Sequence, residues 1–161
     1  MRYGIFALLL ACNGLGAETI SGRIVAISDG DTVTLLDSAK QQHKIRLAGI
    51  DAPEKKQPFG QRSKEHLSDL VFGKVVEADC VKVDRYKREV CKIIVNGTDA
   101  NLQQVKAGMA WWYRSYAKDQ SKVDRSAYAA AEQEAKDAKR GLWSDAEATA
   151  PWEWRYKDKV R

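Results

Sequence analysis

Residues 20–50 read ISGRIVAISDGDTVTLLDSAKQQHKIRLAGI, and the fold turns on how this stretch is divided. Ile20 to Ile27 is rich in branched side chains, which suit a pleated strand better than a helix. Ser28-Asp29-Gly30 then reads as a turn. From Asp31 to Leu36, Val33 and Leu35 alternate with Thr32 and Thr34. A third segment, Lys44 to Ile50, sets Ile45 and Leu47 on one face and Arg46 on the other. Short alternating runs separated by turn residues predict a meander of antiparallel strands.

Working outward from this meander, a helix is expected from Gln61 to Phe72, with Leu67, Leu70 and Val71 as its apolar stripe and Gly73 as its stop. Val75 to Val83 and Arg88 to Val95 form a hairpin. Setting Cys80 opposite Cys91 also sets Lys82 against Glu89 and Asp79 against Lys92, two favourable cross-strand charge pairs. That register leaves Asp84 to Lys87 as a four-residue loop and predicts a Cys80–Cys91 disulfide. Asp99 caps a short helix carrying Leu102 and Val105. A longer helix from Ser121 to about Arg140 carries Tyr128, Ala131, Ala135 and Ala138 at helical spacing, a small-residue stripe for packing on the sheet. The result is an α+β fold with a mainly β core: a five-stranded barrel of OB-like topology with three α-helices.

The 161 residues suffice for one domain with a core. Residues 1–17, MRYGIFALLLACNGLGA, combine one early charge, a short apolar run and a small-residue end, the pattern of a signal peptide cleaved after Gly16 or Ala17. A second reading takes Leu9-Leu10-Ala11-Cys12 as a lipobox, leaving Cys12 lipidated. Either reading implies export, to the periplasm or beyond, where a disulfide is chemically permitted. Losing Arg2 with the leader takes the net charge from +5 to +4. That suits an anionic partner such as nucleic acid. Residues 18–150 form the expected domain, and 151–161 a basic, aromatic tail. Monomer is the default, with no stable protein partner implied, and no membrane contact unless Cys12 is lipidated.

The candidate chemistry lies in Asp29-Gly-Asp31-Thr-Val and in Arg46-Leu-Ala-Gly-Ile-Asp51-Ala-Pro53-Glu54. Pro53 restricts the turn, so Asp51 and Glu54 can be presented in a fixed relation. Hard carboxylate oxygens, with only His43 and His66 as imidazoles, point to calcium or magnesium rather than zinc. Each piece alone is common in loops. The ordered set, with Asp84-Arg-Tyr-Lys-Arg88 and Gly141-Leu-Trp143 downstream, resembles the staphylococcal nuclease (thermonuclease) family from about Ile20 to Trp143.

That resemblance implies a calcium-dependent nuclease that cleaves DNA and RNA to 3′-phosphate products. Asp31 and Asp51 would ligate Ca2+ by carboxylate and Ala52 by its carbonyl. Glu54 would be the general base, and Arg46 and Arg88 would hold the scissile phosphate. Tyr116 falls near the family's nucleotide-contacting tyrosine, and Tyr113 is a second candidate. Lys87 stands where the family commonly has glycine. Either lysine is strained there in left-handed backbone, or it adds a phosphate contact. Two other classes remain: an OB-like module that binds nucleic acid without cutting it, and a structural envelope protein. Trp111, Trp112 and the tail's Trp152, Trp154, Arg155 and Lys157 could stack or contact bases, but one of Trp111 and Trp112 is expected in the core, and the tail is expected to dock on the barrel.

Overall fold

The computed structural model describes residues 18–159. The expected leader and Cys12 lie outside those residues. Strand β1 (Glu18–Asp29) is shared between two neighbours. Its first half pairs with β5 (Val75–Val83), its second half with β2 (Thr32–Asp37), both antiparallel. Two register shifts in the β1–β2 ladder let one long strand turn this corner. Strand β3 (Gln42–Leu47) continues the meander, and β6 (Glu89–Val95) returns beside β5.

Closure comes from β3 against β6, which pair in parallel at Ile45–Glu89, Arg46–Val90 and Leu47–Cys91. The five-stranded OB-type barrel expected from the sequence is therefore closed: β1, β2 and β3 form the expected antiparallel meander, and the parallel β3–β6 pairing makes the whole mixed in direction. Short strands complete it: β4 (Ile50–Asp51) pairs with β8 (Trp111–Trp112), and β7 (Thr98–Asp99) folds back antiparallel on the end of β6. Ile24, Val33, Leu35, Ile45, Leu47, Val76, Ala78 and Ile93 fill the interior. These are the inward positions of the period-two pattern.

Helix α1 (Gly60–Val71) lays Leu67 and Val71 on the barrel. Helix α2 (Ala100–Lys106) starts at Asp99, whose side chain accepts from the Leu102 amide. Helix α3 (Lys122–Asp137) starts at Ser121, which accepts from the Asp124 amide. Tyr128, Ala131 and Ala135 are buried, but Ala138 is exposed. The stripe packs chiefly on α2 rather than on the sheet. A fourth helix, α4 (Pro151–Lys159), was not foreseen: the expected tail is helical. It docks through Trp152, edge-on to Trp111 at 6.4 Å and tilted against Tyr113 at 5.3 Å. Trp111 is the buried member of its pair.

The hairpin departs from the expected register at one place. Cys80 faces Cys91 and Asp79 faces Lys92, but a bulge follows Cys80, so Lys82 faces Val90 and Val83 faces Glu89. Lys82 pairs with Asp119 instead. The loop between the strands consequently runs over five residues, 84–88. The Cys80–Cys91 disulfide is formed.

Two tests follow from these ties. The bridge closes a short loop, with the cysteines 11 positions apart, and should contribute about 2–3 kcal/mol by restricting the unfolded chain. Urea unfolding of Cys80→Ala/Cys91→Ala should show that loss. Separately, His43 donates or accepts between Asp37 (Nε2, 3.0 Å) and Glu89 (Nδ1, 3.1 Å), linking β2 and β6 across β3. The Asp37 bond, with help from Glu89 and against some burial, raises the His43 pKa above 6.5. The stability it supplies is complete below the unfolded value and is lost as pH rises through the higher folded value. Melting temperature should therefore fall across that window in the wild type, and this component should be missing in His43→Gln.

Candidate active site

At one mouth of the barrel a cavity of about 690 Å³ is lined by Asp29, Asp31, Arg46, Asp51, Ala52, Glu54, Lys82, Tyr86, Arg88, Tyr113, Tyr116 and Arg155, among others. The β1–β2 turn delivers Asp31, and the loop leaving β3 delivers Asp51, Ala52 and Glu54. Gly49 makes that delivery possible. It stands at φ 74°, and a Cβ there would collide with the Gln120 side chain.

Asp31 and Asp51 are buried, at 7% and 1% exposure. Two carboxylates so placed need compensating positive charge. Arg46 provides it. Its Nη2 lies 3.1 Å from Asp31 Oδ2 and 3.0 Å from Asp51 Oδ1, while Nη1 donates to the carbonyls of Leu47 and Ile50, each at 2.9 Å. The Ala52 amide donates to Asp31 Oδ2 at 2.7 Å, which joins the two loops directly. Burial raises the Asp51 pKa above the ordinary carboxylate range, against the lowering effects of the Arg155 hydrogen bond and the Arg46 charge. Burial and the neighbouring Asp31 push Asp29 up to about 6.

Glu54 is more open. Its backbone is fixed by Gln57, whose side chain accepts from the Glu54 amide at 3.0 Å. Its carboxylate receives Arg155 Nη1 at 2.8 Å. Arg88 stands across the cavity, clamped by Asp84 through Nε at 2.8 Å and Nη2 at 2.7 Å. Burial opposes it, but the Arg88 backbone and side-chain bonds prevail and hold Asp84 below its usual pKa. Lys87, beside it, takes φ 61°, the left-handed conformation in which glycine is the usual residue. It is not among the residues that line the cavity, whereas Tyr86 is. Tyr113 and Tyr116 meet edge-to-face at 4.9 Å on the opposite rim, and Lys82 lies over the Tyr116 ring.

Among the described residues, no three His, Cys, Asp or Glu side chains form a closed metal cage. The donors that do converge are hard oxygens, and guanidinium nitrogens already bridge them. They fit a hard divalent cation, which would draw the rest of its shell from a backbone carbonyl, water or substrate oxygens.

The family model described as staphylococcal nuclease homologue matches residues 44–145. The chain belongs to the staphylococcal nuclease homologue family. A protein of Haemophilus influenzae named uncharacterized endonuclease is 42% identical over 156 residues, spanning 97% of this chain and 83% of the relative. A protein of Shigella flexneri named micrococcal nuclease is 40% identical, over 86% of this chain and 82% of its own. Protein ParB of Escherichia coli is 37% identical, over 96% and 89%.

The supports of the site in this nuclease-family chain are polar residues with no motif of their own. Asn101, fully buried, donates to the carbonyls of Ala48 and Cys91 and accepts from the Ile93 amide. It ties the loop toward Asp51 to β6. Gln104, also fully buried, donates to the Gly30 and Ser63 carbonyls, holding the turn before Asp31 against α1. Glu132, at 1% exposure, accepts from the Trp112 amide, Arg114 and Lys136, and so steadies the segment that carries Tyr113. A polar residue on a helix gives no sign of this in the sequence, because the backbone groups it serves lie on other elements. Asn101→Leu should cost about 1–3 kcal/mol for each backbone group it strands. A fall in the urea midpoint with an unchanged slope would show this.

Proposed function

We propose that this staphylococcal-nuclease homologue is an exported, calcium-dependent endonuclease that hydrolyses DNA and RNA to 3′-phosphate ends. The observation that carries the reading is the meeting of Asp31, Arg46, Asp51, Glu54 and Arg88 around one cavity. The relatives named as nucleases and the family match support the same reading. A binding-only module has no use for buried carboxylates that must be neutralised at a cost in desolvation.

In this mechanism Asp31 and Asp51 would hold Ca2+ by carboxylate and Ala52 by its carbonyl. The cation, when bound, supplies positive charge against the phosphate oxygens and polarises them. Glu54, the carboxylate most open to solvent, takes a proton from water as the water oxygen attacks phosphorus. The phosphorus–O5′ bond breaks, the 5′-oxygen leaves as a hydroxyl after taking a proton from solvent water, and the phosphate stays on the 3′ side. Arg88 is aimed by Asp84, so its remaining donors meet the equatorial oxygens without paying for reorientation. Arg46 places a second guanidinium beneath the same point. Tyr113, Tyr116 and Tyr86 offer ring faces to bases or sugars. Lys87, held in left-handed backbone and outside the lining of the cavity, is given no contact with the reacting phosphate in this mechanism. Export of the mature chain from about residue 18 places this activity in the periplasm or outside the cell.

Glu54→Gln and Arg88→Ala should each lower kcat on an oligonucleotide by roughly 10²–10³-fold, with far-ultraviolet circular dichroism and melting temperature close to wild type. Chelation should abolish cleavage by the wild type, and calcium should restore it. Intact plasmid after incubation in calcium would instead support a binding module.

A further inference from the structure

Arg155 lies outside the span of the family match, 104 residues from Asp51, yet its side chain enters the site. Nη2 lies 2.7 Å from Asp51 Oδ2. Nη1 donates to Glu54 Oε1 at 2.8 Å and to Asp51 Oδ1 at 3.2 Å. One guanidinium therefore bridges the buried ligand carboxylate and the base. It is delivered there by a built anchor: Trp152, three positions earlier on α4, packs on Trp111 and Tyr113, and the Gln57 side chain donates to the Thr149 carbonyl at the head of the helix. Gln57 also fixes the Glu54 amide, so the helix and the base share a support.

Both oxygens of Asp51 are engaged, Oδ1 by Arg46 and Arg155 and Oδ2 by Arg155. A divalent ion taken up on Asp51 needs an oxygen that Arg155 now covers, and Glu54 cannot accept a proton from water through the oxygen that Arg155 holds. Arg46 is tied to two backbone carbonyls and has little freedom to leave. Among the described residues the Arg155 guanidinium bonds only carboxylates, and its side chain is 40% exposed. We propose that Arg155 is an exchangeable counter-ion of this site: it neutralises Asp51 and Glu54 while no cation is bound, and cation binding displaces it, freeing both carboxylates together. This rests on the reading of Asp31 and Asp51 as cation ligands. It makes α4 part of the site and couples release of the base to cation uptake.

Calcium titration by isothermal calorimetry on the mature chain, without nucleic acid, tests the exchange. Arg155→Gln should bind calcium about tenfold more tightly than wild type, since the ion no longer breaks a charge-assisted pair. Lys157→Gln removes the same charge from the same helix at an exposed position and should leave the affinity at the wild-type value. In thermal melts, Arg155→Gln should be less stable than wild type without calcium and should gain more on its addition. Equal affinities for wild type and Arg155→Gln, with measurable binding to both, overturn the exchange and leave the metal site standing. An equal gain from Lys157→Gln reduces the effect to net charge and also overturns it. Binding to neither chain overturns the calcium reading, and the exchange with it.

Discussion

The structure around the cavity depends on neutralising two buried carboxylates. Asp31 and Asp51 come from different loops, and both are nearly excluded from solvent. Left unpaired, such charges would cost several kcal/mol each. A single nitrogen of Arg46 touches both. Because its other terminal nitrogen is spent on the carbonyls of Leu47 and Ile50, the same side chain also sets the path of the chain from β3 to Asp51. The barrel makes this possible. Parallel pairing of β3 with β6 fixes the end of β3, and Asn101 secures the Ala48 carbonyl just beyond it. The carboxylates are thus held close by the fold itself, and burial still raises the Asp51 pKa against the lowering effects of Arg155 and Arg46.

Much of this was legible in the sequence because it is written locally. Period-two alternation marks the inward faces of β2 and β3, and Asp99 and Ser121 cap helices through bonds that span three residues. The disulfide could be read because a hairpin's register follows from its own charges. Lys82 lies one position off that register, since a bulge costs nothing that the charge pattern records and Asp119, 37 residues away, supplies another partner. Asp31, Arg46, Asp51, Glu54 and Arg88 were legible as a set because their order along the chain resembles a family.

Several of the residues missed reach partners far away in sequence. Asn101 and Gln104 serve carbonyls 53 and 74 positions away, and Arg155 reaches Asp51 across 104. Trp152, Trp154 and Arg155 could be seen as an aromatic, basic tail, but a helix that carries an arginine into the site has no local signature. The stripe on α3 failed for a related reason. Spacing identifies which face is apolar, not whether a helix or a sheet covers it, and the cover here is α2.

The loop of residues 84–88 shows why a departure from a family pattern need not disturb a site. Left-handed backbone costs a non-glycine residue roughly 1–2 kcal/mol, and Lys87 bears that cost at φ 61°. The conformation survives because Asp84 imposes it. One carboxylate oxygen accepts the amides of Tyr86 and Arg88, the other accepts Arg88 Nε, and the Asp84 carbonyl accepts the Lys87 amide. Four bonds to one residue define the turn without help from a glycine. Glycine there would relieve strain, but it would not move Arg88, whose guanidinium is aimed by Asp84 rather than by its neighbour. The position is therefore one where stability and the aim of the arginine separate, and lysine gives up some of the first while leaving the second intact.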